Sequence, residues 1–382
     1  MSKGIFGKMT RSILLFLGGM AVGYLIKTFV GDDSLDQIRY RTRDLINKPA
    51  DKKEYIDVEI NDITDDTDWL KGILIKSKLS IVLLNWNGHE DTVECLNSLK
   101  NLNYDDFNIY LVDNNSQRNS VEYINDYLEN QDYYSHAMVT SSKLDDYTDD
   151  VDLLFILNDV NAGFAGGNNV ALEYLIKYDV CEYVLLLNND TIVSSDFVNA
   201  LFDKYNQEDN VAFVGATHYY YDDNNSIQTV GGGIIDWKHG ECMAVRQKNQ
   251  YDTYDFITGS CVFMPIAVLR EVGPISTDYF MYWEDVDWST VAHKKGYNLV
   301  VSDYGCIYHK EGSSIKSLSR IYYHTANRIL FMKKHSDRNR YHKFIIYMVL
   351  YVLKESLTNI FKNRQYSKVL IKGLMAGLKK IQ

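Results

Sequence analysis

Four short apolar runs, which alternate with segments of helical periodicity, constrain the fold of this chain more than any other feature. Each run has five residues and no charge, as expected of strands that are buried on both faces of a sheet. The runs are Ser80–Leu84, Asn108–Val112, Leu153–Leu157 and Tyr183–Leu187. Strands that alternate with helices form a parallel sheet. The sequence therefore predicts an α/β fold with a mostly parallel central sheet and helices on both faces.

Polar or glycine-rich residues follow each of these predicted strands. Asn85, Asp113 and Asp190 come at or just after the ends of three strands, and the segment from Asn161 to Asn169 follows the remaining one. Ligands of parallel α/β sheets bind at the carboxyl ends of the strands. The sequence therefore predicts a ligand site at this edge of the sheet.

Each of these residues also has a structural explanation. Asp113 either caps a helix or makes an Asx-turn, or it accepts a hydrogen bond from a ribose hydroxyl or a base N–H. The glycines from Gly163 to Gly167 either form a tight turn with close helix packing or expose amide groups to a phosphate. Asp190 is either a turn residue or the carboxylate that a divalent cation on a diphosphate needs. The residues alone leave these alternatives open.

An acidic stretch between Phe280 and Trp288 holds three carboxylates within four positions, flanked by tryptophans. The carboxylates are Glu284, Asp285 and Asp287. Their mutual repulsion and the exclusion of water both raise a carboxylate pKa, which suits a general base near neutral pH. The alternative is a helix N-cap formed by Asp285 or Asp287.

His309 is a second candidate metal ligand, because imidazole binds Mn²⁺ and similar ions. A lone histidine is otherwise structural or solvated. The five cysteines are scattered and include no C-x-x-C pair, so they indicate neither a zinc site nor a disulfide framework.

The charge of the chain is unevenly distributed. The net charge of −11 argues against a nucleic-acid partner, yet the segment from Arg328 to Gln382 holds 13 Lys and Arg against 2 acidic residues. Amphipathic helices are predicted near Tyr341–Phe361 and Tyr366–Lys380. A basic tail on an acidic body predicts attachment to an anionic membrane surface; packing on its own domain or a homodimer through these helices are the alternatives.

Four segments follow from these patterns. Residues 1–30 are predicted to be a hydrophobic anchor or interfacial helix, 31–77 a charged linker, 78–335 the α/β domain and 336–382 a basic amphipathic helical tail. The uncharged run Ile13–Ile26 rises only about 21 Å as a helix, less than the ~30 Å hydrocarbon core. A short anchor or a span is preferred to a signal peptide, and basic residues on both sides leave its orientation open. We expect a peripheral or singly anchored protein at the cytoplasmic face of the cell membrane.

Seven ordered motifs carry a family resemblance: SIVLLNWNG, LVDNNS, NAGFAGGNN, YVLLLNND, ITGSCVFM, FMYWEDVDW and YHKEGSS, followed by YYHTANRILFMKKH. From about Lys78 to His335 the chain resembles glycosyltransferase family 2, the inverting nucleotide-sugar transferases of the Rossmann-like GT-A fold. Within that family it looks most like the bacterial rhamnosyltransferase and galactofuranosyltransferase-like branch that builds surface polysaccharides.

The resemblance implies a dTDP- or UDP-linked sugar donor. The residues that it implies for donor binding are Asn85, Asp113, Asn161, Gly163, Gly167, Asn168, Asn169 and Asn189. Trp283 offers an aromatic face to the acceptor sugar or packs in the core. Arg328 reaches a phosphate of the donor or of a lipid carrier, or forms an ion pair within the protein.

The family's D-x-D metal motif maps onto Asn188-Asn189-Asp190, so its first carboxylate is an asparagine here. The resemblance implies that Asp190 and His309 hold Mn²⁺ or Mg²⁺. Asp285 matches the catalytic base of the family, with Glu284 beside it in the acceptor pocket. The Q-x-x-R-W motif of processive synthases is absent, which favours a single-addition or short-iteration transferase.

The expected function is therefore inverting transfer of a sugar, with rhamnose favoured, to a hydroxyl of a lipid-linked or glycan acceptor in surface polysaccharide biosynthesis. The alternative is a catalytically inactive transferase-like protein that binds nucleotide sugars or acts as a scaffold, which only Asn188 favours. A dinucleotide-dependent oxidoreductase does not fit, because no G-x-G-x-x-G follows the first strand.

Overall fold

The structure, a computed structural model, describes residues 77–147, 150–310, 318–359 and 362–379. The predicted N-terminal anchor, and the charged linker up to residue 76, lie outside the described residues. The strands of the described part are β1 (Ser77–Asn85), β2 (Phe107–Asp113), β3 (His136–Thr140), β4 (Leu153–Leu157), β5 (Cys181–Asn188), β6 (Thr191–Val193), β7 (Val211–Tyr220), β8 (Asp223–Thr229), β9 (Gly232–Asp236), β10 (Glu241–Ala244), β11 (Phe256–Ile257), β12 (Cys261–Pro265) and β13 (Asn298–His309).

The helices of the same residues are α1 (His89–Leu99), α2 (Arg118–Glu129), α3 (Gly163–Tyr178), α4 (Phe197–Gln207), α5 (Ile266–Val272), α6 (Glu284–Lys294), α7 (Leu318–His335), α8 (Arg338–Asn359) and α9 (Arg364–Lys379). A short 3₁₀ helix covers Ser141–Asp146. The two predicted tail helices are thus present as α8 and α9, each shifted by one to three residues.

The central sheet has the strand order β3-β4-β2-β1-β5-β12-β7-β13-β6, and β8 pairs with β7. The five strands from β3 to β5 run parallel to one another, as do β7 and β13. Strand β12 joins the two groups by pairing antiparallel with both β5 and β7. The predicted α/β fold with a mostly parallel sheet is confirmed, and the antiparallel joint was not predicted.

Helices cover both faces of the sheet because alternate strand residues point to opposite sides. Leu79, Ile81 and Leu83 of β1 lie in one core cluster with residues of α1, α2 and α4. On the other face α3 approaches the sheet so closely that a Cβ on Gly167 would lie 2.6 Å from Leu84. The helix packing follows from continuous apolar strands that must be buried on both sides.

A second core cluster joins the acidic stretch to the C-terminal helices. It includes Trp283 and Val286, together with Phe331 of α7 and Phe344 of α8. The three-stranded sheet β10-β9-β11 contributes Ile235 and Phe256 to the same cluster. The C-terminal helices therefore pack against the described domain by way of the acidic stretch. No helix of the described residues combines the length and apolar character needed to cross a bilayer.

Candidate functional site

The ends of β1 and β2 form the first part of the site. Asn85 and Asp113 are partners in the parallel register, and the side-chain amide of Asn85 donates to Asp113 Oδ2 at 2.6 Å. The side-chain oxygen of Asn85, Oδ1, accepts from the Gly88 N–H and from the Thr92 hydroxyl. Asn85 is fully buried and Asp113 is 2% exposed. Asn85 thus orients the Asp113 carboxylate and uses its own polar atoms within the protein.

The loop that precedes α3 is held by Asn114, the residue after Asp113. Its side chain accepts from the Ala162 N–H at 3.1 Å and donates to the Asn161 side chain and to the Gly163 carbonyl. Asn161 in turn accepts from the Gly163 N–H at 2.9 Å. The predicted loop residues Asn161 and Gly163 therefore lie directly beside Asp113.

The glycines of this loop allow other parts of the protein to pack closely against it. Gly163 has φ +73°, and a Cβ there would lie 2.2 Å from the carbonyl oxygen of Phe280. The same oxygen accepts a hydrogen bond from the Phe164 N–H at 2.8 Å. A Cβ on Gly167 would meet Leu84 and Asn114. These contacts favour the close-packing alternative, and they bring the α3 loop against the acidic stretch.

Three predicted donor-binding asparagines have their side-chain amides turned inward. Asn168 donates to the Phe164 carbonyl, and Asn169 exchanges two hydrogen bonds with the backbone of Ile275. Asn189 donates to the Thr92 hydroxyl at 2.8 Å. In this structure Asn169 and Asn189 connect separate elements, and Asn168 bonds within α3. Contact of these asparagines with a donor stays a prediction.

Asp190 and His309 are brought together from two distant parts of the chain by the antiparallel pairing of β6 with β13. Asp190 Oδ1 lies 3.3 Å from His309 Nε2. The other ring nitrogen of His309 lies 2.8 Å from Gln228 Oε1, so it is the N–H donor. In the neutral ring Nε2 and Asp190 Oδ1 are then two acceptors that face each other, and Oδ1 is buried with no hydrogen-bond partner among the described residues.

This geometry fits a divalent cation. Two ligands in adjacent octahedral positions, each about 2.1 Å from a metal, are about 3.0 Å apart, close to the observed separation. Among the described residues no three His, Cys, Asp or Glu side chains form a complete metal cluster. Mg²⁺-type sites on phosphates commonly take only one or two protein ligands, the others being phosphate and water oxygens.

Lys310 fixes the strand end beside this pair. Its N–H donates to the Asp190 carbonyl at 3.0 Å, and its ammonium group contacts Glu94 and lies 2.8 Å from Asp91. Burial lowers the pKa of Lys310, but the hydrogen bonds to Asp91 and Glu94 outweigh burial and raise it above its usual value. The lysine is therefore a permanent cation that ties β13 to α1.

The acidic stretch enters α6 through two strained residues. Tyr282 and Trp283 have φ +67° and +77°, a left-handed conformation that non-glycine residues rarely adopt. Asn327 of α7 holds this bend by donating 2.9 Å hydrogen bonds to the carbonyls of Met281 and Tyr282. Helix α6 begins at Glu284 with Trp283 as its N-cap residue. Neither Asp285 nor Asp287 occupies the cap position, so the N-cap alternative is wrong.

Glu284 and Asp285 lie together at the start of α6 in different surroundings. Asp285 accepts hydrogen bonds from the N–H groups of Gly259 and Val286, at 3.1 and 2.8 Å. Burial raises the pKa of Asp285, and these donors oppose the rise. Glu284 is 7% exposed, and its Oε2 has no hydrogen-bond partner in the described part of the chain. Burial first, and the charge of Asp285 second, raise the pKa of Glu284 well above its usual value.

Asp287 has a structural role. Its carboxylate, 1% exposed, accepts from the Tyr279 hydroxyl at 2.9 Å and contacts Lys334 and His335 of α7 at 2.9 and 2.7 Å. Burial raises the pKa of Asp287, but the hydrogen bonds from His335 and Lys334 hold it below its usual value. The cluster attaches α6 to α7.

Trp283 and Arg328 also lie inside the protein. Trp283 is 3% exposed and packs against Phe331, with ring centroids 5.0 Å apart. Arg328 donates to the His239 carbonyl and pairs with Glu241 at 3.0 Å. The structure thus favours core packing for Trp283 and an internal ion pair for Arg328. The expected partner of Arg328 was a phosphate, but strand β10 supplies the acceptor instead.

One turn connects the metal-ligand pair to the acidic pair. Gly259 donates to Asp285, and the next residue, Ser260, accepts from the Asn188 N–H through its carbonyl. The Ser260 side chain lies 2.5 Å from His218 Nε2, and the His218 ring packs edge-on against His309. Burial lowers the pKa of His218 to about 3, so this ring is neutral. A continuous series of contacts therefore links Asp285 to His309.

Sequence reasoning missed Gln228, His218 and Ser260 as parts of the site. Ser260 lay within a recognised motif, which was a usable signal. Gln228 and His218 are on strands whose polar residues follow no motif, and only the pairing of β7 with β8 and β13 brings them to His309.

The fold and the site together indicate the class of protein to which this chain belongs. The mixed, mostly parallel sheet with helices on both faces is the α/β fold that the family resemblance of the motifs implied. The chain belongs to glycosyl transferase family 2, whose family model matches residues 80–273. A curated relative, the low-salt glycan biosynthesis hexosyltransferase Agl10 of Haloferax volcanii, is 24% identical over 163 residues. That match covers 42% of this chain and 52% of the relative, so the chain spans about half of the relative's length.

Two solved structures resemble the fold at low sequence identity. The mannosyltransferase PcManGT of Pyrobaculum calidifontis, in complex with GDP-Man and Mn²⁺, is 13% identical, with 90% of this chain and 92% of that chain covered and a TM-score of 0.48. Residues 1–349 of TarS from S. aureus are 14% identical, with 80% and 82% covered and a TM-score of 0.46.

Proposed function

We propose that this protein is an inverting hexosyltransferase that uses a nucleotide-diphosphate sugar, with rhamnose favoured. The acceptor is a hydroxyl of a lipid-linked or glycan substrate in surface polysaccharide biosynthesis. The observation that carries the proposal is the series of contacts from Asp285 through Ser260 and His218 to His309. It joins Asp285, a carboxylate of raised pKa, to Asp190 and His309, two acceptors suited to a cation. Displacement of a diphosphate requires both a base and a group that neutralises the leaving charge.

In this proposal Asp285 is the general base. It takes the proton of the acceptor hydroxyl while that oxygen forms a bond to the anomeric carbon. The bond from that carbon to the diphosphate oxygen breaks, its electron pair leaves with the nucleoside diphosphate, and the configuration inverts. The N–H groups of Gly259 and Val286 hold the carboxylate in place. A raised pKa improves proton acceptance near neutral pH.

Asp190 and His309 would hold Mn²⁺ or Mg²⁺, and a bound cation would supply Lewis-acid neutralisation of the leaving diphosphate. Gln228 fixes the His309 tautomer so that Nε2 faces Asp190. Asp113, oriented by Asn85, is the acceptor for a ribose hydroxyl or a base N–H of the donor. The dTDP- or UDP-linked donor follows from the branch that the motifs resemble.

Two single substitutions test the division of roles. Asp285→Asn keeps the shape of the side chain but removes the base, so we expect a roughly 10²–10⁴-fold loss of transfer with donor affinity unchanged. Asp190→Ala should remove the Mn²⁺-dependent part of donor affinity in calorimetry. Transfer is measured with a lipid-linked acceptor and donor affinity by titration.

Two results would contradict these assignments. Full turnover by Asp285→Asn removes Asp285 from the role of base. Equal donor affinity of Asp190→Ala with and without Mn²⁺, at the wild-type level, removes Asp190 from the metal site. A wild-type protein that binds donor but neither transfers nor hydrolyses it would favour the inactive nucleotide-sugar-binding alternative.

A further inference from the structure

Helix α8 has two apolar sides, of which the described residues cover only one. Phe344, Met348 and Val352 are spaced four residues apart and buried in the second core cluster. On the opposite side four large apolar residues are between 53% and 70% exposed. These residues, the α8 stripe, are Ile346, Leu350, Leu353 and Leu357. Their spacing of three and four residues places them along one line of the helix.

Helix α9 repeats this arrangement. Its inner side packs against α7, so closely that a Cβ on Gly373 would lie 2.9 Å from the Tyr322 carbonyl oxygen. Its outer side exposes Ile371 and Met375, 46% and 51% exposed. Three exposed lysines lie on that outer side: Lys368, Lys372 and Lys379.

The charge of these helices is of one sign. Together α8 and α9 hold eight Lys and Arg against one acidic residue, Glu355. Single exposed leucines are common on soluble proteins. A continuous apolar stripe on a cationic helix is instead typical of helices that lie in the interface of a membrane.

We propose that the α8 stripe docks on an anionic lipid surface. The four apolar side chains would enter the headgroup and acyl boundary, and Lys343 and Lys354 beside them would meet lipid phosphates. A second copy of this chain is a poorer occupant, because it would bring an equally cationic face against this one. The proposal does not depend on the proposed sugar transfer, since binding requires neither donor nor acceptor.

The first test is binding of the full chain to vesicles. The combined variant Ile346→Ser, Leu350→Ser, Leu353→Ser and Leu357→Ser should partition roughly tenfold or more weakly onto phosphatidylglycerol–phosphatidylcholine vesicles, since interfacial binding scales with buried apolar area. Binding to phosphatidylcholine alone should be weak for both proteins. Met138→Ser with Tyr304→Ser, two exposed positions elsewhere, is the matched control and should bind like the wild type. Equal binding of the stripe variant and the control, together with no extra quenching at position 353 in the test below, would overturn the proposal.

A second test reports the position of the stripe itself, so that another attachment point of the chain cannot mask the result. The tryptophan of Leu353→Trp should add fluorescence that brominated acyl chains quench. The fluorescence that Met138→Trp adds should not be quenched. No extra quenching at position 353 would overturn the proposal. A dimer in solution would also overturn the proposal if light scattering without vesicles detects it and the four serine substitutions dissociate it.

Discussion

Glu284 and Asp285 are neighbours in sequence, yet their surroundings separate their chemistry. Two backbone N–H groups stabilise the Asp285 carboxylate, and no group donates to Glu284 Oε2. Paired titratable groups whose environments push their pKa values apart divide acid and base roles between them. The pKa of Glu284 is raised more strongly than that of Asp285, so Glu284 holds its proton to higher pH, and Asp285 is the carboxylate placed to accept a proton.

This difference predicts how stability depends on pH. The pKa of Glu284 in the folded protein is raised above its unfolded value. Its contribution to stability is therefore fully present below the unfolded pKa and is lost as the pH rises through the folded pKa. Glutamine does not titrate. In denaturant unfolding, Glu284→Gln should therefore gain stability relative to the wild type as the pH rises above about 4, the ordinary pKa of a glutamate.

The control for this measurement is Glu122→Gln. Glu122 is exposed and pairs only with Arg118 one helical turn away, so its loss should change stability by less than about 1 kcal/mol at any pH. Parallel stability curves for Glu284→Gln and the wild type would refute the raised pKa of Glu284.

At the scale of single residues, the sequence predicted which residues form the site better than it predicted their contacts. The pairing of Asp190 with His309 was expected and both lie together. The inward orientation of Asn168, Asn169 and Asn189 was not predictable, because an asparagine amide serves a ligand and a neighbouring carbonyl equally well. Whether such an amide bonds a ligand or the protein depends on which groups the fold places beside it, here Ile275 for Asn169 and Thr92 for Asn189.

At the scale of elements, the acidic bend between Phe280 and Glu284 is held in shape by neighbouring parts of the site. It is held on one side by Asn327 and on the other by the α3 loop at Gly163. Left-handed backbone at Tyr282 and Trp283 is costly and persists only where the surroundings impose it. Its shape therefore depends on α3 and α7 together.

A single methyl group at Gly163 should disturb this bend. Gly163→Ala adds both left-handed strain and a contact with the Phe280 carbonyl oxygen at 2.2 Å, so we expect a loss of stability of about 2–5 kcal/mol. Gly296→Ala is the matched control, because Gly296 has φ +91° but nothing within 4 Å of the added Cβ. It should lose only about 1–2 kcal/mol. Equal losses in chemical denaturation would show that the contact with Phe280 is unimportant.

The elements that the sequence predicted are those with continuous apolar character. Strands β1, β2, β4 and β5 are central and buried, so their residues leave a clear pattern. Strand β3 lies at the edge of the sheet with no fully buried residue and was missed. The antiparallel place of β12 was also missed, because strand direction depends on partners far away in the chain.

Across the whole molecule, the residues predicted to bind the donor and the acidic pair come from different halves of the chain. Residues near Asp113 and Gly163 belong to the first half of the domain, and Asp285 and His309 belong to the second. The order of the motifs was sufficient to predict this division. Packing of the tail on its own domain was only the alternative, because the basic excess favoured a membrane surface, yet α8 and α9 share a core cluster with the acidic stretch.

A donor that bridges both halves should stabilise the entire domain. With Mn²⁺ present, a dTDP- or UDP-linked sugar at a hundredfold excess over its Kd should add about 2.7 kcal/mol to the free energy of unfolding. We expect dTDP-rhamnose to raise the thermal midpoint most in a panel of nucleotide sugars. Asp190→Ala should lose the part of the shift that depends on Mn²⁺. A panel in which no nucleotide sugar raises the midpoint would contradict donor binding.

The position of β12 between β5 and β7 has a consequence for synthesis on the ribosome. Strands β1 to β5 can pair as soon as they emerge, but the outer edge of β5 stays open until Cys261–Pro265 is made. At about 5–20 residues per second that interval lasts roughly 4–15 seconds. During this time an apolar strand with unpaired backbone groups is available to other chains. The nascent half-domain is therefore the state of this protein most prone to aggregation, and chaperone binding would be most useful there.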